Sequence, residues 1–203
     1  ISNLAASTTP PILRGSAATL GGTSSIAVVG IIAYVTSHTG DAVQIFDLST
    51  SSPAHIGTFS TGACSDPNQI VVAGRFAYVV NYAGDTFEVY DVSNSASSTR
   101  LSSTSTGAGT NPISLAVSGR YVYVINYSND TLHIYDVADP SVPVRVSSIT
   151  LTGTTPRPTG IYIQGRYAYI TIEGDNTLKI IEGVNVFSFQ NWQFLYLTLH
   201  LKF

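Results

Sequence analysis

The sequence is poor in charged residues, and this shortage narrows the classes of function open to it. Only 10% of the 203 residues are Asp, Glu, Lys or Arg, and the formal net charge is −3. The two lysines, Lys179 and Lys202, and the scattered arginines form no basic run. Without a basic patch there is no electrostatic basis for binding nucleic acid or an anionic membrane surface, so we expect neither as a partner.

Cysteine and long apolar runs are also scarce. Cys64 is the only cysteine, which excludes an internal disulfide and predicts a structural rather than a reactive thiol. The sequence has no run of eighteen apolar residues, which is the length needed to span a membrane as a helix. Methionine is absent altogether, even at position 1, so we expect a processed, trimmed or excised chain.

Four copies of one pattern fill most of the chain. Each copy has a glycine, an apolar strand centred on tyrosine, a short polar turn and a second strand that closes on an acid. The glycines are separated by 44, 45 and 46 residues, and they are Gly30, Gly74, Gly119 and Gly165. Repeats of this length that contain only strands are typical of β-propeller blades. We therefore predict an all-β propeller of about four repeats, which either forms part of a larger ring or completes a ring with another copy.

Each unit divides into four strands of falling hydrophobicity. Pro67, Pro112 and Pro158 stand just before the first strand of three units, seven residues ahead of the glycine. The second strand is almost entirely apolar, the third alternates, and the fourth is rich in Ser and Thr, as expected for buried inner and wet outer strands. The predicted units are a partial repeat or outer strand at 1–22, four blades at 23–66, 67–111, 112–157 and 158–183, and a divergent hydrophobic strand segment at 184–203.

The two ends leave the closure of the ring open. Residues 11–19 resemble an outer strand without a blade of its own, whereas residues 195–203 alternate as a strand should. Either segment could supply the fourth strand of the last blade. We favour the C-terminal segment, because a chain that begins inside a repeat fits a longer or oligomeric ring better than a closed ring of four blades.

The repeats resemble two known families. Residues 111–127, followed by Leu132-His-Ile-Tyr-Asp-Val-Ala-Asp-Pro140, resemble LVIVD repeats, and Ala77-Tyr-Val-Val-Asn81 looks like a YVTN repeat. The resemblance implies a β-propeller, and the YVTN families imply an extracellular or cell or virion surface location. It says little about activity, because these families are defined by structural residues.

No catalytic or metal-binding motif stands out, and we predict neither a catalytic residue, a metal nor a cofactor. The histidines lack zinc spacing, and the sequence has neither a nucleophile elbow nor a phosphate-binding loop. The recurring acids are interpreted as turn residues that bind backbone N–H groups. The predicted structural repeat positions are Gly30, Gly74, Gly119, Gly165, Asp47, Asp91 and Asp136, and Asp41, Asp85, Asp130 and Asp175 are assigned to hairpin turns.

A binding surface is predicted where otherwise uniform copies differ. The second strand ends in Asn-Tyr in two copies, in Ser37-His38 in the first and in Ile172-Glu173 in the last. Aromatic rings can stack on a ligand, although packing between blades explains most of them more simply. The hypothetical binding residues are Asn81, Tyr82, Asn126, Tyr127 and Trp192.

Three functions remain open. The sequence favours a non-catalytic extracellular or surface propeller, a structural or protein-interaction module with a protein or glycan partner. The alternatives are a lactonase-like hydrolase with its site at the channel mouth, and a glycan-binding propeller. The hydrolase needs polar residues on the proline-flanked loops, and those available are Asp66, Asn68, Asn111 and Arg157.

Overall fold

The computed structural model describes residues 12–184, together with the backbone of residues 197–198. The described residues form only strands and turns, arranged as four antiparallel four-stranded sheets. The prediction of an all-β propeller of four repeats is confirmed. This part of the chain also contains no helix that is long and apolar enough to cross a membrane.

Each sheet is one blade, and its strands follow one another in chain order from the inner to the outer edge. Blade 1 contains β1 (Thr23–Val29), β2 (Ile32–Ser37), β3 (Ala42–Asp47) and β4 (Ala54–Ser60). Blade 2 contains β5 (Pro67–Ala73), β6 (Phe76–Asn81), β7 (Thr86–Asp91) and β8 (Thr99–Ser105). Blade 3 contains β9 (Pro112–Ser118), β10 (Tyr121–Asn126), β11 (Thr131–Asp136) and β12 (Val144–Thr150). Blade 4 contains β13 (Pro158–Gln164), β14 (Tyr167–Ile172), β15 (Thr177–Glu182) and β16 (Leu197–Thr198).

The core lies between successive blades, because the two middle strands of a sheet bury the faces that a neighbouring blade covers. The tyrosine at the centre of the second strand packs toward the following blade: Tyr34, Tyr78 and Tyr123 are all at most 5% exposed. Aromatic pairs join neighbouring blades farther out, with ring centroids 4.2 Å apart for Phe59 and Tyr90. Flat rings contribute large buried areas at such interfaces, so the stacking of blades provides most of the apolar burial.

The inner strands pack in the order β1, β5, β9, β13, and so surround the axis of the propeller. In the described residues, blades 1 and 4 show no comparable packing against each other. The outer face of blade 1 exposes Ile26 and Val28, and the outer face of blade 4 exposes Tyr162 and Leu178. The four blades therefore form an arc with an apolar face at each end.

The two end segments occupy different places. Gly15 lies so close to the Ser51 carbonyl oxygen of blade 1 that a Cβ there would clash with it. Gly57, in the outer strand of blade 1, lies in the same way against blade 2, where a Cβ would be 3.1 Å from the equivalent carbonyl oxygen of Ser95. Residues 12–19 therefore lie on blade 1 where the outer strand of a preceding blade would pack. In blade 4, β16 pairs with β15, so the C-terminal segment provides the outermost strand.

Candidate functional site

The candidate site is the end of the propeller where each inner strand begins and each second strand ends. The crossovers into the inner strands and the β2–β3, β6–β7, β10–β11 and β14–β15 turns all lie at this end. Equivalent positions on successive blades therefore face the same opening of the central channel. Ligands of propellers and barrels bind at such mouths, where polar loop residues from several elements converge.

The residue just before each inner strand forms the rim of this opening. In blades 2, 3 and 4 it is Asp66, Asn111 and Arg157, which we call the rim residues. Each has a left-handed backbone, with φ of 54°, 49° and 48°. Each rim carbonyl accepts a hydrogen bond from the residue after the second strand of its own blade: Tyr82 N–H at 2.8 Å, Tyr127 N–H at 3.1 Å and Glu173 N–H at 3.1 Å.

Side chains of neighbouring blades meet along the rim. His38 Nδ1 of blade 1 lies 3.4 Å from Asp66 Oδ1 of blade 2. The two side chains are partly exposed, His38 to 44% and Asp66 to 35%. Asn111 Nδ2 donates to the Tyr82 carbonyl oxygen at 3.0 Å. The Tyr127 hydroxyl donates to Glu173 Oε2 at 3.5 Å. The rim thus presents an imidazole, carboxylates, an amide and a phenol from four blades.

A cavity of about 340 Å³ opens beside the rim at the boundary of blades 3 and 4. Its lining residues are Tyr127, Ser128, Asp130, Thr154, Thr155 and Arg157. Arg157 is exposed, and its guanidinium forms no salt bridge with any residue that the structure describes. An unpaired guanidinium among hydroxyl groups can bind a carboxylate, a phosphate or an ester oxygen.

The turn aspartates bind the backbone of the following crossover. Asp66 N–H donates to Asp41 Oδ1 at 3.0 Å, and Cys64 N–H donates to Asp41 Oδ2 at 2.7 Å. The Asp66 N–H, above all, holds the pKa of Asp41 below its ordinary value. These bonds are what the sequence predicts for acids in turns, and they leave those carboxylates little capacity to bind a metal.

The predicted binding residues are divided by the structure. Asn81 and Asn126 are fully buried and donate to Thr86 Oγ1 and Thr131 Oγ1, both at 2.9 Å. Their side chains are therefore not exposed at the rim, and the Oδ1 atom of each is buried without a hydrogen-bond partner among the described residues. Tyr82 and Tyr127 remain at the rim, and Trp192 lies outside the described residues.

The predicted repeat positions lie mainly at the opposite end. Gly30, Gly74, Gly119 and Gly165 occupy equivalent turns with φ between 57° and 61°. Asp91 and Asp136 bind Arg75 and Arg120, whereas Asp47 accepts from Ser49 N–H at 2.7 Å. In the described part of the chain, no three His, Cys, Asp or Glu side chains are grouped as metal ligands would be.

The contact of His38 with Asp66 was missed from the sequence. His38 stands at the position where the copies differ, which was a usable signal, but its partner follows 28 residues later on another blade. No local motif can pair two such residues.

The comparisons with known proteins decide the family. The family model described as a lactonase, seven-bladed β-propeller, matches residues 29–161, which is more than half of the chain. The chain belongs to this lactonase family. Our prediction of a non-catalytic structural or protein-interaction module is therefore wrong, as is the prediction that the protein is not an enzyme, and the match supports the hydrolase alternative. It supports a propeller without distinguishing LVIVD or YVTN repeats.

Solved structures share the fold of this lactonase-family chain at low sequence identity. A protein from Lactobacillus plantarum is 16% identical with a TM-score of 0.72, over 89% of this chain and 57% of its own. The periplasmic gluconolactonase of Pseudomonas aeruginosa is 19% identical with a TM-score of 0.69, over 80% and 50%. The virginiamycin B lyase of Staphylococcus aureus is 9% identical with a TM-score of 0.65, over 88% and 56%.

The chain thus spans between half and three fifths of the length of these structures. A comparison with curated protein sequences finds no match.

Proposed function

We propose that the protein hydrolyses a lactone at the channel mouth, with His38 as general base and Asp66 as its orienting partner. The observation that carries the proposal is the 3.4 Å contact between His38 Nδ1 and Asp66 Oδ1 at the rim of a lactonase-family propeller. Histidine is the commonest general base, and a carboxylate on one ring nitrogen fixes the orientation of the other.

The chemistry follows from the residue types. His38 accepts a proton from a water molecule as the water oxygen adds to the lactone carbonyl carbon. The ring C–O bond then breaks, and the leaving alkoxide takes up the proton to give a hydroxy acid. A base of this kind contributes roughly 10²–10⁴-fold to the rate.

Arg157 and the adjoining cavity hold the substrate. The guanidinium and the hydroxyl groups of Thr154 and Thr155 supply donors for the oxygens of a polar or anionic lactone. Tyr127 also gives the sugar-like face of a cyclic substrate an aromatic surface to contact. These groups bind the substrate and the transition state equally well, so substituting them is expected chiefly to raise KM.

The test is hydrolysis of a panel of sugar and aliphatic lactones by the full chain, followed by pH-stat titration. We expect His38→Gln to lower kcat by at least about 10²-fold. His55→Gln is the matched control, because His55 is exposed on the outer strand β4, away from the rim. If no lactone is hydrolysed, or if His38→Gln and His55→Gln behave alike, the proposal fails.

Three further predictions rest on the sequence pattern alone. They are the relationship to LVIVD and YVTN repeats, the extracellular or surface location, and a protein or glycan partner. Localising the tagged full-length gene product would test the second directly.

A further inference from the structure

We propose that Asp41, Asp85 and Asp130 are positioning residues of the channel mouth: each carboxylate fixes the rim residue of the following blade. The inference deepens the proposed function and rests on it, because Asp66 and Arg157, two of the three rim residues, have roles in the proposed hydrolysis. It goes beyond the turn-forming role that the sequence suggests for these aspartates.

The backbone conformation of the rim residues is unfavourable for two reasons, so hydrogen bonds from the surrounding structure are needed to maintain it. Asp66, Asn111 and Arg157 have φ between 48° and 54°, a region that residues other than glycine seldom occupy. Each also precedes a proline, and the proline ring drives the preceding residue toward an extended conformation. Strained backbone of this kind persists only where surrounding contacts determine it, and such strain concentrates at functional sites.

The turn aspartates supply those contacts from the preceding blade. The N–H groups of Asp66, Asn111 and Arg157 donate to Asp41, Asp85 and Asp130 Oδ1 at 3.0, 2.8 and 2.7 Å. The rim carbonyl groups are bound within their own blades, as described above. Both peptide groups of each rim residue are thereby fixed, so its side chain is presented from a backbone of defined position.

The same pair of backbone hydrogen bonds therefore holds three residues with different side chains, namely a carboxylate, an amide and a guanidinium. Because the backbone bonds are the same in each blade while the side chain differs, a repeat protein can place different functional groups around one site. A charge-assisted bond to a backbone N–H is also stronger than a neutral one, which suits a strained segment.

Blade 4 distinguishes this role from turn formation. Asn176 stands at the position of Asp130 in the equivalent turn and has the same left-handed conformation, with φ of 52°. The turn itself therefore does not require a carboxylate. Asp175, one position earlier, instead accepts from Thr154 and Thr155 N–H at 3.2 and 3.3 Å, in the same crossover that Asp130 binds.

The experiment removes the carboxylate without straining the turn. Asp130→Gly suits a positive φ and eliminates the acceptor, and Asp130→Asn is the conservative variant, because it introduces the residue that blade 4 carries at Asn176. Asp139→Gly is the matched control, because Asp139 is exposed and its carboxylate binds Ser141, a neighbour in the same loop. Amide hydrogen exchange by NMR and lactone kinetics are measured on each variant of the full chain.

We expect Asp130→Gly to speed exchange of the Arg157 amide at least about tenfold while leaving the Asp66 and Asn111 amides unchanged. KM should rise roughly tenfold with kcat within about twofold, and Asp130→Asn should restore part of the loss. Asp41→Gly should instead expose the Asp66 amide and lower kcat, because Asp66 orients the base. A merely structural role would lower the apparent kcat in proportion to the folded fraction and leave KM unchanged.

Unchanged exchange at Arg157 in Asp130→Gly would overturn the proposal, as would equal effects of Asp130→Gly and Asp139→Gly. If the wild type hydrolyses no lactone, the proposed function fails, but the exchange measurement still decides whether Asp130 holds Arg157.

Discussion

The Arg75 guanidinium binds the Asp91 carboxylate at the end of blade 2 opposite the rim, and it lies 5.3 Å from the centroid of the Phe76 ring. Blades 3 and 4 repeat this arrangement with Arg120 and Asp136, and with Arg166 and Glu182. In blade 1, Ile31 stands where the arginine would be. Asp47 keeps the bond from the Ser49 N–H, which Asp91 and Asp136 also accept from Ser93 and Ala138. The arginine thus ties the first turn of a blade to the end of its third strand.

This pairing predicts the titration of Asp91. Its bond to Arg75, helped by Ser93, lowers the pKa of Asp91 to about 2. Because the folded value lies below the unfolded value of about 3.9, the pair stabilises the fold above that pH and the contribution disappears as the pH falls toward 2. In Arg75→Ala, NMR titration should find the pKa of Asp91 closer to its ordinary value. The pKa of Asp139, which Ser141 lowers, should not move, and a common shift of both would contradict the assignment.

The sequence predicted the fold well because its strongest signals are repeated. The glycine turns and the tyrosine-centred strands recur in every copy, so each copy supports the interpretation of the others. The order of strands and their register follow from the alternation of apolar residues and the short turns. Closure was harder, because the pairing of β16 with β15 depends on a segment that lacks the repeat pattern.

The sequence named Asp66, Asn111 and Arg157 as polar residues available to a hydrolase, but it did not pair them with His38. The residues of the site come from four different blades, so His38 and Arg157 belong to no common motif and are brought to one rim only by the fold. Asn81 precedes Tyr82 by a single residue, yet it is buried while Tyr82 reaches the rim. Strand periodicity places neighbouring residues on opposite faces, but it does not say which face is buried between blades.

A buried carboxylate between blades 1 and 2 depends on one arginine. Glu88 is 1% exposed, and it accepts hydrogen bonds from Tyr90 Oη at 2.5 Å and from Arg100 Nη1 at 3.0 Å. We expect Arg100→Ala to cost about 2 kcal/mol of unfolding free energy, because it leaves the carboxylate buried without its countercharge. This is less than the roughly 3–5 kcal/mol for a fully buried pair, since Arg100 is half exposed and Tyr90 still donates.

Blade 3 offers the matched control for that measurement. Arg145 occupies the position of Arg100, but the residue in place of Glu88 is His133. Arg145→Ala should therefore leave the unfolding free energy at pH 7 nearly unchanged. Equal losses in the two variants, measured by denaturant unfolding, would mean that the arginine stems and not their charges stabilise the blades.

His133 should make the fold sensitive to acid. It is 3% exposed, and burial, followed by the positive charge of Arg145, lowers its pKa to about 4. The unfolded chain, with a value of about 6.5, binds the proton first, so stability should fall as the pH drops from 6.5 toward 4. His133→Gln introduces the residue that blade 1 carries at Gln44, and it should lose less stability over this window. Parallel loss in both proteins, measured by denaturant unfolding at several pH values, would contradict the prediction.

The two end faces of the arc should make the isolated chain associate. Ile26 is 61% exposed, although its counterparts Ile70 and Leu115 are each 2% exposed. At the other end, Leu178 is 45% exposed, whereas its counterparts in the first three blades, Val43, Phe87 and Leu132, are fully buried. Each end thus presents a surface that is buried wherever a neighbouring blade exists, and exposed apolar patches of this kind favour association.

In the predicted association, blade 4 of one chain packs against blade 1 of another, so the contact is heterologous and head to tail. We expect light scattering on a size-exclusion column to give a mass above that of the monomer, increasing with concentration. Ile26→Thr combined with Leu178→Thr should shift the chain toward the monomer, since threonine keeps the strand propensity but removes apolar area. Val144→Thr with Val146→Thr, on the exposed outer strand of blade 3, should not. A wild-type chain that stays monomeric at every concentration would contradict the prediction.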